Sequence, residues 1–85
     1  MTTPTVFVGT MFSGEGDVTE CFDSISRQTG VNVRHKVISN LPEREAHNEL
    51  WRAWRENRST CDMFVKVDAD TVLTSTSILS SFWSL

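Results

Sequence analysis

The chain is short of cysteine and has no long apolar run, and both facts narrow what it can be. Its two cysteines, Cys21 and Cys61, stand far apart with no metal-ligand spacing around either. That pattern speaks against a disulfide framework and against a zinc site, and both are read as reduced thiols of a cytoplasmic protein. No stretch approaches the roughly 18 apolar residues that a membrane-spanning helix needs. The polar start, Met1-Thr2-Thr3-Pro4, does not read as a signal peptide. Positive charge is scarce as well: 8 Lys and Arg stand against 11 Asp and Glu, for a net charge of -3. The two signs are interspersed and form no basic stripe, so nothing points to nucleic acid as a partner. Ser13-Gly14-Glu15-Gly16 lacks the Gly-Lys-Thr/Ser that a phosphate loop requires. His35 and His47 are isolated and pair with no cysteine. There are no internal repeats and no low-complexity linker, so residues 1–85 read as one small domain with a modest core.

What is present is concentrated in Phe64-Val65-Lys66-Val67-Asp68-Ala69-Asp70-Thr71-Val72-Leu73. An apolar, β-branched run ends in two carboxylates one residue apart. The run has the character of a strand buried on both faces. Asp68 and Asp70 would then sit at the carboxyl edge of a sheet, where open α/β folds bind ligands. Two carboxylates are costly to desolvate without a cation or hydrogen-bond donors. Their oxygens suit Mg²⁺ or Mn²⁺ carrying a phosphate. The plainer reading is a polar loop after a strand, with Asp70 capping the next helix. Lys66 is read as facing away from both carboxylates, as an edge or helix-covered residue.

The flanking pattern gives the order β-α-β-α-β-α. Thr5 to Thr10 reads as a strand and Met11 to Gly16 as a loop. Asp17 with Glu20 forms a capping box, and Val18, Cys21, Phe22 and Ile25 make an apolar helical stripe that Gly30 ends. Val31 to Ser39 reads as a second strand. Pro42 opens a helix to about Asn57, with Glu43 and Glu45 at its positive end and Ala46, Leu50, Ala53 and Trp54 facing inward. Trp51 can face either way. Arg44, Arg52, Arg55 and Arg58 read as a solvated surface. Met63 to Val67 is the third strand, and a short helix follows after Ser75. Strands alternating with helices imply an α/β fold with a small three-layer parallel sheet.

Several of these segments resemble the N-terminal, nucleotide-binding half of the GT-A fold glycosyltransferases, the family-2-like group in particular. Val6-Phe7-Val8-Gly9-Thr10 stands where that family has its first strand. Cys21-Phe22-Asp23-Ser24-Ile25-Ser26-Arg27-Gln28 is similar to its Cys-Leu-x-Ser-Ile-x-x-Gln helix. His35 to Asn40 resembles its second strand, and Ala46-His47-Asn48 its Ala-x-Asn. Asp62 to Asp70 resembles the strand that delivers Asp-x-Asp. The resemblance implies that Asp70 holds Mn²⁺ or Mg²⁺ on the diphosphate of a nucleotide-sugar donor and that Asp68 assists. It implies that Thr10 and the loop after it line the base, and that Asn40 stands where many members carry an acid that bonds base or ribose. Where the family often shows an Asp-Asp-x-Ser-x-Asp cluster, this chain has Ser39-Asn40-Leu41-Pro42-Glu43-Arg44.

The family's catalytic base and acceptor site come from a later half, and Thr71 to Leu85 holds no Asp, Glu, His or Lys. The expectation is therefore a donor-binding half-site whose acceptor is unknown, completed by a missing C-terminal half or by self-association. Two other readings stay open. The domain binds nucleotide or assembles without catalysis, or Asp68-Ala69-Asp70-Thr71 is the first motif of a haloacid-dehalogenase-like phosphatase, with Asp68 as nucleophile. That motif usually ends the first strand of its fold, whereas two β-α units precede it here.

Overall fold

A computed structural model describes residues 3–12 and 18–84. Six elements follow in order: β1 (Thr5–Phe12), α1 (Thr19–Ser26), β2 (Asn32–Ser39), α2 (Glu43–Asn57), β3 (Met63–Lys66) and α3 (Ile78–Trp83). The strands form one parallel sheet in the order β2-β1-β3. Val6 lies opposite Val33 on one side and Met63 on the other. The chain thus steps from β1 to β2, then crosses back over β1 to place β3 on its far side.

The alternation of β1 assigns the two faces. Val6 and Val8 point to one side and are buried with Cys21 and Ile25 of α1, Leu79 of α3, and Val31 and Val67. Phe7, Gly9 and Met11 point to the other, where Ala46 and Leu50 of α2 pack with Ile38, Met11 and Phe64. Phe7 meets Phe64 edge-on at 5.6 Å and Trp54 at 6.1 Å between ring centroids. Trp54 thereby seals the rim of this layer, as its inward position predicts. The result is three layers: α1 and α3, the sheet, and α2.

Gly9 lets α2 approach. A Cβ there would stand 2.9 Å from Leu50 Cδ2 and 3.0 Å from Phe64 Cε1. Two residues adopt left-handed backbone, Gly30 at φ +76° and Asn40 at φ +61°, and each turns the chain at an end of β2.

Three sequence expectations change. The doubly buried strand is β1, not β3; β3 is an edge strand with Met63, Phe64 and Val65 half-buried and Lys66 exposed. Only the middle strand of three has neighbours on both sides, and apolar content alone does not say which strand that is. β1 also continues to Phe12, because Met11 and Phe12 find partners in Ile38 and Ser39. Finally, α1 ends at Ser26, so Gly30 turns the chain into β2 rather than capping the helix. The predicted cap Asp17 and the segment from Ser13 to Gly16 lie outside the described residues. α2 matches its expected span, with Pro42 as the residue before it.

Candidate functional site

Strand order decides where a ligand can sit. In open α/β sheets ligands bind outside the carboxyl ends of the strands. Here the carboxyl ends of β1 and β3 lie side by side, because β3 pairs with β1. Met11 and Phe12 end β1 there. Asp68, Ala69 and Asp70 follow β3, and Glu43 opens α2. With Lys66 these residues line a hollow of about 340 Å³. A second hollow of about 260 Å³ adjoins it, sharing Met11, Phe12 and Glu43 and completed by Ile38, Leu41 and Ala46. One compartment is lined mainly by charged groups and the other mainly by carbon.

The carboxylates are shaped by a turn, not by a helix cap. Val67 keeps the last ladder bond, its N–H donating to the Gly9 carbonyl at 2.9 Å. The Thr71 N–H then donates to the Asp68 carbonyl at 2.9 Å, closing a turn around Ala69 and Asp70. α3 does not begin until Ile78, so Asp70 caps nothing. Both carboxylates are exposed.

Lys66 overturns its sequence reading. Its Nζ lies 3.6 Å from Asp68 Oδ1. Residues two apart in extended chain share a face, so Lys66 and Asp68 had to point the same way. The pair is solvated and adds little stability, but it sets a cation beside the two acids.

Beneath the turn lies Cys21, with its Sγ 3.5 Å from the Asp68 carbonyl oxygen. Burial pushes its thiol pKa above the usual value, and the charges of Asp70 and Asp68 push it further the same way. Cys21 is therefore a neutral packing residue rather than a nucleophile. Both cysteines are free and buried.

Neither of the two expected base contacts lines either hollow. Thr10 is fully buried on the α1 face and lines neither hollow. Its Oγ1 lies 2.8 Å from His35 Nε2, and that imidazole packs edge-on against Phe22 at 5.1 Å. Burial lowers the His35 pKa. Asn40 is exposed just past β2, and its N–H donates to the Phe12 carbonyl at 3.1 Å. It precedes Leu41, which lines the apolar hollow.

Met11 and Phe12 belong to the segment that the resemblance sets beside the base, and they line both hollows, although they do so as the end of β1 rather than as loop. Glu43 carries no such expectation beyond an acid at a helix start. The signal for it is topological: in β-α-β order, the end of the first strand and the start of the second crossover helix meet beside the third strand.

The donor set bears on a metal. Among the described residues no group of three or more His, Cys, Asp or Glu side chains converges as a metal cage. Asp68 and Asp70 offer two hard oxygen donors. That matches Mg²⁺-type sites, in which one or two carboxylates, water and substrate phosphates complete an octahedron.

No protein-family model, no curated protein and no solved structure matches this chain.

Proposed function

We propose that this domain binds a nucleotide-sugar diphosphate through Mn²⁺ or Mg²⁺ held by Asp70 with the help of Asp68. It would serve as the donor-binding half of a GT-A type glycosyltransferase, whose parent activity is transfer of the sugar to an acceptor. The observation that carries the reading is the pair of joined hollows beyond the carboxyl ends of β1 and β3, apolar beside Ile38 and Ala46 and acidic beside Asp68 and Asp70. Such a pair suits a ligand with a flat ring at one end and a metal-bound phosphate at the other. A bound cation would neutralise the charge that builds on a departing nucleoside diphosphate.

The chain's own residues divide the work. Asp68 and Asp70 supply oxygens to the cation. Lys66, paired with Asp68, would add a positive charge for the phosphates. Met11, Phe12 and Leu41 exclude water from the apolar compartment. Asn40 has an exposed side chain for the base or ribose, whereas the Thr10 hydroxyl is committed to His35. Activating an acceptor hydroxyl requires a general base, and Thr71 to Ser84 offers no Asp, Glu, His or Lys for that task. Donor binding without catalysis by these residues alone is the second reading, and this lack of a base favours it.

Calorimetric titration of UDP and GDP, first with Mn²⁺ and then with EDTA, tests the assignment. Binding should require the metal, disappear in Asp70→Ala and weaken in Asp68→Ala. A folded protein that ignores both nucleotides in Mn²⁺, or variants that bind as well as the wild type, would defeat it.

A further inference from the structure

Between β3 and α3 the chain runs without regular structure. After Val67 the turn that carries Asp68 and Asp70 has no strand ladder to hold it. What holds it is one stripe of α1 and the residues just after it. Cys21, Ser24 and Gln28 recur at i, i+3 and i+7, and all three are buried. Each meets a main-chain atom of the segment from Asp68 to Leu79, in order along it. Cys21 Sγ lies against the Asp68 carbonyl oxygen. Ser24 Oγ accepts the Leu73 N–H at 3.0 Å while donating to the Cys21 carbonyl at 2.7 Å. Gln28 Nε2 donates to the Ser75 carbonyl at 2.7 Å, and its Oε1 accepts the Leu79 N–H at 3.0 Å. Thr29 adds its N–H and hydroxyl, both to the Thr76 carbonyl.

Polar side chains on the buried face of a short helix weaken its hydrophobic packing unless their bonds are made elsewhere. Here the bonds outside α1 all go to one irregular strap and to Leu79 in the first turn of α3, and that strap begins with the two carboxylates. A carboxylate pair on an unsupported turn would sample many separations, whereas a metal needs its donors within a few tenths of an ångström.

We infer that Ser24 and Gln28 are positioning residues for the Asp68–Asp70 turn, acting through Leu73, Ser75 and Leu79. The inference rests on the metal-binding reading above and adds that α1, not β3 alone, sets the separation of the two oxygens. Loss of groups that orient metal ligands typically lowers affinity about 10- to 100-fold.

Mn²⁺ titrated into the full chain, with free Mn²⁺ followed by its paramagnetic resonance signal, reads the affinity. Amide hydrogen exchange reads the strap independently of metal. Ser24→Ala and Gln28→Met should weaken Mn²⁺ binding about tenfold or more and speed exchange at the Thr71 amide, which neither side chain touches. Protection in β1 should stay as in the wild type. Leu50→Val, which loosens the opposite layer, should leave Mn²⁺ affinity unchanged. Unchanged exchange at Thr71 in both variants would overturn the inference, and so would an equal loss of affinity in Leu50→Val. A wild-type chain that binds no Mn²⁺ would defeat the metal reading, and the exchange comparison would still decide the positioning. Should Gln28→Met fail to fold, Ser24→Ala removes a single oxygen and carries the test.

Discussion

At the scale of single residues, two titratable groups give this domain a measurable dependence on pH. His35 is half-buried and its pKa is held down by burial, so the folded state resists a proton that the unfolded chain accepts near pH 6.5. The stability from the neutral ring is complete above that pH and is lost as pH falls through the lower folded value. The urea midpoint should therefore drop below about pH 6.5. His35→Gln should flatten that limb. A limb that persists in His35→Gln would defeat this assignment. Cys21 has the opposite sign. Its raised pKa favours the neutral thiol, a contribution present below the unfolded value and lost as pH rises through the folded one. Native Cys21 should resist iodoacetamide at pH 8 and react readily in urea, as mass spectrometry would show. Rapid labelling of the native protein would mean that α1 lifts away from the strap. The relation between Lys66 and Asp68 was legible in the sequence by strand parity, but the partnership of His35 with Thr10 was not. It depends on which face of β2 meets which face of β1, and register is not written in either segment alone.

Among the elements, α2 was the most legible and β3 the least. Pro42, the acids behind it and the spacing of Ala46 and Leu50 are local signals, and local signals survive folding. The burial of β3 is decided by what lies beside it, and that is a property of the sheet. Gly9 shows the same limit. Its sequence neighbours say strand, and only the approach of Leu50 and Phe64 explains the absent side chain. Gly9→Ala should push the Leu50 and Phe64 side chains from their positions and cost about 1–3 kcal/mol, read from the shift in urea midpoint. An unchanged midpoint would mean that α2 has room to move out. The candidate site was legible in part for a related reason. Asp68 and Asp70 announce themselves in the sequence and the resemblance points to the segment after Thr10, while Glu43 joins them only through the order of the strands.

For the whole molecule, the sheet has two open edges and one enclosed strand. Among the described residues, no further strand pairs with the outer edge of β2 or of β3. Lys66 on β3, with Arg34 and Lys36 on β2, places exposed positive charge along those edges, a common guard against edge-to-edge pairing. Lys66→Val combined with Lys36→Val should raise light scattering and shift elution toward larger species, whereas the single Arg52→Gln on α2 should not. Equal behaviour would locate association elsewhere, with exposed Phe82 and Trp83 the next surface to change.

The placement of β1 in the middle has a consequence in time. β1 precedes the other two strands of its sheet in the chain, yet its second flank is closed by the third of them. Val6 meets Val33 early but must wait for Met63 before its other side is covered. During synthesis β1 stands with one bare edge until Met63 to Lys66 have left the ribosome. Pairing over so long a separation is slow. A nascent chain stalled before Met63 would therefore present Val6, Phe7 and Val8 to any chaperone at hand.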